Sequence, residues 1–260
     1  RGDMGDTGRL AARLTDYPIQ SYVEYYRLYP RLVSTPEGEI RNYLNRYDGT
    51  AIADRLRNDW LLILGRARDW RLFDEQYPLF VLNDDVQVKC YALSSRIAKG
   101  ENVVKAAREL LVQPKSYGEA CVDLIQRLYQ DKQFSEDDIW RQIRLAAEYG
   151  ASSAARRIAY LINVSERQVM PAIDRPSLIV ERGAAGSQAT RELFIIALGR
   201  LARDNIDKAE VLERRGNLTD VLVYWGLEEM TRLNSLISFR NQLPSPMARD
   251  RKSTRLNSSH

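Results

Sequence analysis

CYALSSRIAKGENVVKAARELLVQPKSYGEACVDLIQRLYQDKQFSEDDIWRQIRLAAEYG, running from Cys90 to Gly150, is the stretch whose reading decides the fold. Apolar residues recur there at spacings of three and four: Tyr91 and Ile97, then Val103, Ala107 and Leu110, then Leu124, Ile125 and Leu128, then Ile139, Ile143 and Ala146. That period belongs to the α-helix, and each segment carries one apolar stripe and one charged face. The four segments therefore predict two helical hairpins, bracketed by Cys90 and Cys121, the two cysteines of the chain.

Working outward, helix punctuation recurs almost everywhere. Asp16 and Pro18 open a helix through Tyr22, Tyr25, Tyr26 and Tyr29, which Pro30 is expected to end. Thr35 and Pro36 read as an N-cap followed by proline at the first helical position. Gly49 precedes a longer helix, Ala51 to Leu64, and Arg66 to Phe73 begins the next. Beyond Gly150 come Ala154, Ile158, Leu161 and Ile162, then a short helix from Ser165 that should close before Pro171. Ala185 to Asp204 is a strong helix through Leu193, Ile196, Ala197 and Leu201; Asp207 to Arg215 and Asp220 to Gln242 follow, with Pro244 and Pro246 as stops. Ser177 to Val180, after Pro176, is the best short extended segment.

A helix pair of this size cannot bury its own stripe, so a succession of pairs must stack. The expected fold class is all-α, an irregular α-superhelix or solenoid of stacked antiparallel helix pairs. Ala92 to Leu111 has the look of a tetratricopeptide unit, with Gly100 at the turn and Pro114 after it, but no 34-residue period returns.

Composition narrows the function classes. No run approaches the roughly 18 apolar residues of a membrane span. The chain begins at Arg1, and RGDMGDTG lacks the pattern of a signal peptide, so a start missing or processed away is expected. Asp250 to His260 reads as the translation of a sequencing adapter and is set aside as a tail. Arg251, Lys252 and Arg255 against Asp250 supply half of the net charge of +4, so the basic balance does not argue for nucleic acid. His260, the single histidine, leaves with that tail, and with it any Ser-His, Cys-His or histidine–metal chemistry. No catalytic, metal or cofactor residue is expected. Cys90 and Cys121 are either a bonded pair or two separate buried thiols. Glu136, Asp137 and Asp138 follow Ser135 and suit a helix start better than acid–base work. Gly2, Gly5 and Gly8 lack the strand and lysine of a phosphate loop. Tyrosine is frequent, 14 of 260, and a surface of tyrosine and arginine can stack on sugars or grip anions. Tyr22, Tyr25, Tyr26 and Tyr29 cannot all face one way, so some belong to the core and the substrate-contacting residues stay unassigned.

The Cys90–Gly150 stretch, the opening DYPIQSYVEYYRL and the ARDW turn resemble, in the same order, the N-terminal superhelical domain of the soluble lytic murein transglycosylases. The resemblance covers about Asp16 to Gln242 and implies a frayed segment 1–15, a superhelical domain 16–242, a linker 243–249 and the tail 250–260. It implies a periplasmic enzyme acting on peptidoglycan glycan strands, and a disulfide between Cys90 and Cys121. In that family a glutamate of a lysozyme-like domain protonates the β-1,4 MurNAc–GlcNAc bond and the sugar's own 6-hydroxyl attacks, giving a 1,6-anhydro product. The family's motifs for that domain, E-S-x-[FW]-[ND] and G-[AL]-M-Q, do not occur in these 260 residues. The fragment is thus expected to be an inactive scaffold, partnered by the glycan strand and a C-terminal catalytic domain. The competing readings are a stand-alone helical-repeat scaffold for protein or peptide and, more distantly, a basic nucleic-acid binder.

Overall fold

The computed structural model describes residues 20–204, and all regular structure among them is helical. The expected helices at Asp207–Arg215 and Asp220–Gln242, the entry at Asp16 and Pro18, the N-terminal glycines and the tail lie outside the described residues. The chain divides into two compact units, residues 1–175 and 176–260.

Among the described residues of the first unit, ten α-helices follow one another: α1 (Gln20–Leu28), α2 (Glu37–Arg46), α3 (Ala51–Ala67), α4 (Trp70–Gln76), α5 (Val86–Ala98), α6 (Val104–Leu110), α7 (Gly118–Gln130), α8 (Glu136–Glu148), α9 (Ser152–Tyr160) and α10 (Glu166–Asp174). They form hairpins. The first helix of each hairpin packs on the first helix of the next, α1 on α3, α3 on α5, α5 on α7 and α7 on α9, so the layers share one continuous core. Leu56, Leu61, Leu124, Ile125, Leu128, Ile139 and Ile143 are buried within it, each such side chain contributing about 1.5–3 kcal/mol. The second unit holds α11 (Pro176–Arg182) packed on α12 (Gln188–Asp204), whose Phe194, Ile196, Ala197, Leu198 and Leu201 are buried.

Local chemistry sets the boundaries. Thr50 caps α3 by accepting from the Ala53 N–H, Asp69 caps α4 through Leu72, and Asp85 caps α5 through Gln87 and Val88. Ser135 and Asp138 form a reciprocal capping box at the start of α8. Two glycines set how closely rows approach. A Cβ on Gly65 in α3 would lie 2.8 Å from Tyr91 Cβ and nearer still to its ring, while Gly118 at the start of α7 has φ +53° and lies against the Gln87 side chain.

Three local expectations are corrected. Ser177 to Val180 is helical, because Pro176 pre-sets the first helical residue and overrides the alternating apolar pattern. Pro171 lies inside α10, which runs on to Asp174 with the loss of one backbone bond. The α-helix α1 stops at Leu28, ahead of Pro30 as expected, and the chain tightens into a 3-10 turn over Tyr29–Ser34. Pro36, and not Thr35, occupies the cap position of α2, and the Thr35 hydroxyl donates instead to the Arg31 carbonyl at 3.0 Å.

Candidate functional site

The tyrosines of α1 sort cleanly by helical geometry. Tyr25 and Leu28 point inward and are buried. Tyr22, Tyr26 and Tyr29, at relative positions 0, 4 and 7, make an outward stripe that is 41%, 59% and 50% exposed. Tyr25 braces that stripe from beneath: its ring lies 5.1 Å from Tyr26 edge-on and 5.6 Å from Tyr29 stacked. The Tyr25 hydroxyl donates to Asp59 Oδ2 at 2.8 Å, tying α1 to α3. Burial and the Asp59 carboxylate push the Tyr25 hydroxyl up to about 12, so it stays a neutral donor. From the other side the Tyr43 hydroxyl donates to the Ser21 carbonyl at 2.7 Å, and Arg46 pairs with Glu24 at 3.0 Å. The result is an aromatic surface held in place before any ligand arrives. Such rings offer flat apolar faces for the C–H faces of sugars and hydroxyls for hydrogen bonds.

Helix α3 also buries charge. Asp54, Arg57 and Asn58 fall on one inward stripe. Asp54 accepts from the Val81 and Leu82 N–H groups at 3.0 and 2.8 Å, and Arg57 donates to the Leu79 carbonyl at 2.8 Å. Asn58 donates to Asp85 at 3.3 Å. These bonds fix the loop that leads into α5 and leave Leu79, Val81 and Leu82 exposed on it. The residues do structural work absent from the sequence expectations: they lie on the side of α3 away from Ile52, Leu56 and Trp60, and the helix is buried on both sides.

The acidic run after Ser135 is divided by role. Asp138 accepts from Ser135 and from Arg108, whose Nε and Nη2 reach it at 2.9 and 3.0 Å, while Glu136 accepts from the Trp140 indole. Burial pushes Asp138 up, and the Arg108 and Ser135 hydrogen bonds outweigh it, so its carboxyl is held below the usual range. A carboxylate so engaged is a poor proton donor at neutral pH. Cys90 in α5 and Cys121 in α7 form a disulfide. Among the described residues no cluster of His, Cys, Asp and Glu is arranged to hold a metal ion, and no helix is long and apolar enough to cross a membrane.

No protein-family model matches the chain. It is similar to the soluble lytic murein transglycosylase of Escherichia coli K12, 23% identical, over 76% of this chain and 32% of that protein, and to its Salmonella typhimurium LT2 counterpart at the same identity and coverage. Among solved structures it resembles the 70-kDa soluble lytic transglycosylase of Escherichia coli, with a TM-score of 0.58 and 19% identity, over 99% of this chain and 43% of that one. An inactive mutant of the lytic transglycosylase Slt from Pseudomonas aeruginosa gives a TM-score of 0.55 at 24% identity, over 83% of this chain and 36% of that one. The chain is similar in sequence to soluble lytic murein transglycosylases and shares its fold with their solved structures. It spans about a third of the length of the curated relatives it matches. The likeness to the solved lytic transglycosylases is one of fold, stacked helical hairpins in both.

Proposed function

We propose that this chain is the N-terminal superhelical scaffold of a periplasmic soluble lytic transglycosylase, the whole of which cleaves peptidoglycan glycan strands. The sequence match to the murein transglycosylases over 76% of the chain carries the reading. In this proposal residues 16–242 form the scaffold domain and residues 1–15, 243–249 and 250–260 stand outside it. Cleavage of the MurNAc–GlcNAc bond to the 1,6-anhydro product belongs to a lysozyme-like domain that is the scaffold's covalent partner. Its glutamate would need a low-polarity cleft to hold a proton at neutral pH.

The scaffold's own part is to hold the glycan strand. Tyr22, Tyr26 and Tyr29 are the residues proposed to contact it, because they are exposed, aligned and braced by the buried Tyr25. A disulfide between α5 and α7 supports an oxidising compartment, since cytosolic reductants keep such thiols open. A murein zymogram with mass analysis of the soluble products tests the division of labour. The chain alone should clear no murein and release no anhydro-muropeptides; release of such products would overturn the scaffold assignment.

A further inference from the structure

On α6 and α8, the second helices of two successive hairpins, an open cleft is lined by Asn102, Val104, Lys105, Arg108, Glu109 and Arg141. Its charges are unevenly committed. The guanidinium of Arg108 is locked by Asp138 through Nε and Nη2 at 2.9 and 3.0 Å, and Asp138 is held in turn by the Ser135 N–H and hydroxyl, both at 3.0 Å. That geometry consumes one edge of the Arg108 fork and leaves its Nη1 N–H groups available. Lys105, Glu109 and Arg141 make no ion pair or side-chain hydrogen bond among the described residues. Lys105 and Glu109 stand four residues apart on α6, in the lysine-first order that pairs less well, and they do not meet.

Two free cations, an immobilised arginine edge and one free carboxylate in a single cleft suit a ligand carrying carboxylates together with an amine. We infer that this cleft binds the peptide stems of peptidoglycan, with stem carboxylates on Lys105, Arg141 and the Arg108 Nη1 edge, and the free stem amine on Glu109. The inference rests on the murein reading above and adds a second contact, to the peptide and not to the sugar. Arg108 is a poor variant for testing it, because Asp138 and the start of α8 depend on it. Lys105 and Arg141 are exposed and can be changed without disturbing a cap.

The test is calorimetric titration of the full chain with N-acetylmuramyl-L-Ala-γ-D-Glu-diaminopimelate. The same probe with its carboxylates amidated, a peptide-free chitotetraose and inorganic phosphate serve as comparisons. The free-carboxylate probe should bind, weaken with added salt, and lose about tenfold in affinity in Lys105→Ala/Arg141→Ala, as expected for two exposed charge contacts. Equal affinity of the double variant, equal binding of the amidated probe, or full displacement by phosphate would overturn the inference. Sacculus co-sedimentation of the parent chain separates the two levels: a parent that pellets with sacculi but leaves the stem probe unbound ends the stem proposal alone, and a parent that binds neither ends the murein reading with it.

Discussion

Cys90 and Cys121 join α5 to α7 with their Cα atoms 5.1 Å apart, so the covalent link runs between the first helices of two successive hairpins and spans the hairpin α5/α6 between them. It staples one layer of the stack to the next. Both sulfurs sit in side chains with no solvent exposure, so the link is shielded from reductant until the layers part. Closing a loop of about 30 residues restricts the unfolded chain and is worth about 3–4 kcal/mol. Cys90→Ala/Cys121→Ala, unfolded in urea beside the oxidised chain, should lose about that much stability; an unchanged midpoint would show that the bond contributes nothing.

Gly65 and Tyr91 set the spacing of α3 and α5. Alanine would normally favour a helix interior over glycine by about 1 kcal/mol, but here the added methyl meets the base of the Tyr91 side chain, which cannot swing aside as a flexible tip would. Overpacking of this kind costs about 1–3 kcal/mol, so Gly65→Ala should be net destabilising. Thermal unfolding decides it, and a raised midpoint would refute the close approach.

Asp59 carries a pH signature. Burial raises its carboxyl above the ordinary range, against the opposing Tyr25 hydrogen bond and the Arg55 charge, with Asp85 nearby pushing the same way as burial. A folded-state value above the unfolded one means that this contribution is complete below the unfolded value and is lost as pH rises through the folded one. Asp59→Asn keeps an acceptor for Tyr25 and removes the charge. It should therefore flatten the fall in stability across the mildly acidic range and leave the neutral-pH protein at least as stable, which denaturant midpoints measured from acid to neutral pH will show; a profile parallel to the parent chain contradicts it.

Asp138 has the opposite sign. Its carboxyl is held below the ordinary range, so its contribution is present above the unfolded value and is lost as pH falls through the folded one. Asp138→Ala removes the capping-box acceptor and unlocks Arg108, and should cost about 1–2 kcal/mol at neutral pH. Urea unfolding measures the loss, and it should shrink in acid, where the parent chain forfeits the same contribution.

The architecture was legible because layered helices write their burial as a period. Ala107, Leu124, Ile125, Leu128, Ile139 and Ile143 are buried where the spacing placed them, and Ser135 caps its helix as its position implied. The misreadings came from single residues with two meanings. Pro171 reads as a stop, yet packing on α9 holds α10 together through it; Pro176 reads as the start of a connector and is the start of a helix. The tyrosines could not be sorted by sequence alone, because Tyr25 and Tyr26 are adjacent and only the neighbouring α3, through Asp59, decides which one turns inward. Buried Asp54 and Arg57 were invisible for a similar reason: their partners are backbone groups of a loop more than 20 residues away.

In the proposed function, the preformed aromatic surface of Tyr22, Tyr26 and Tyr29 holds a peptidoglycan strand. Co-sedimentation of the chain with purified sacculi tests it most directly, comparing the parent with Tyr26→Ala/Tyr29→Ala, two exposed changes that leave Tyr25 and Asp59 in place. The account requires the parent to pellet with sacculi and the variant, still folded, to lose about tenfold in apparent affinity. A parent chain that stays in the supernatant, or a variant that pellets equally well, would contradict it.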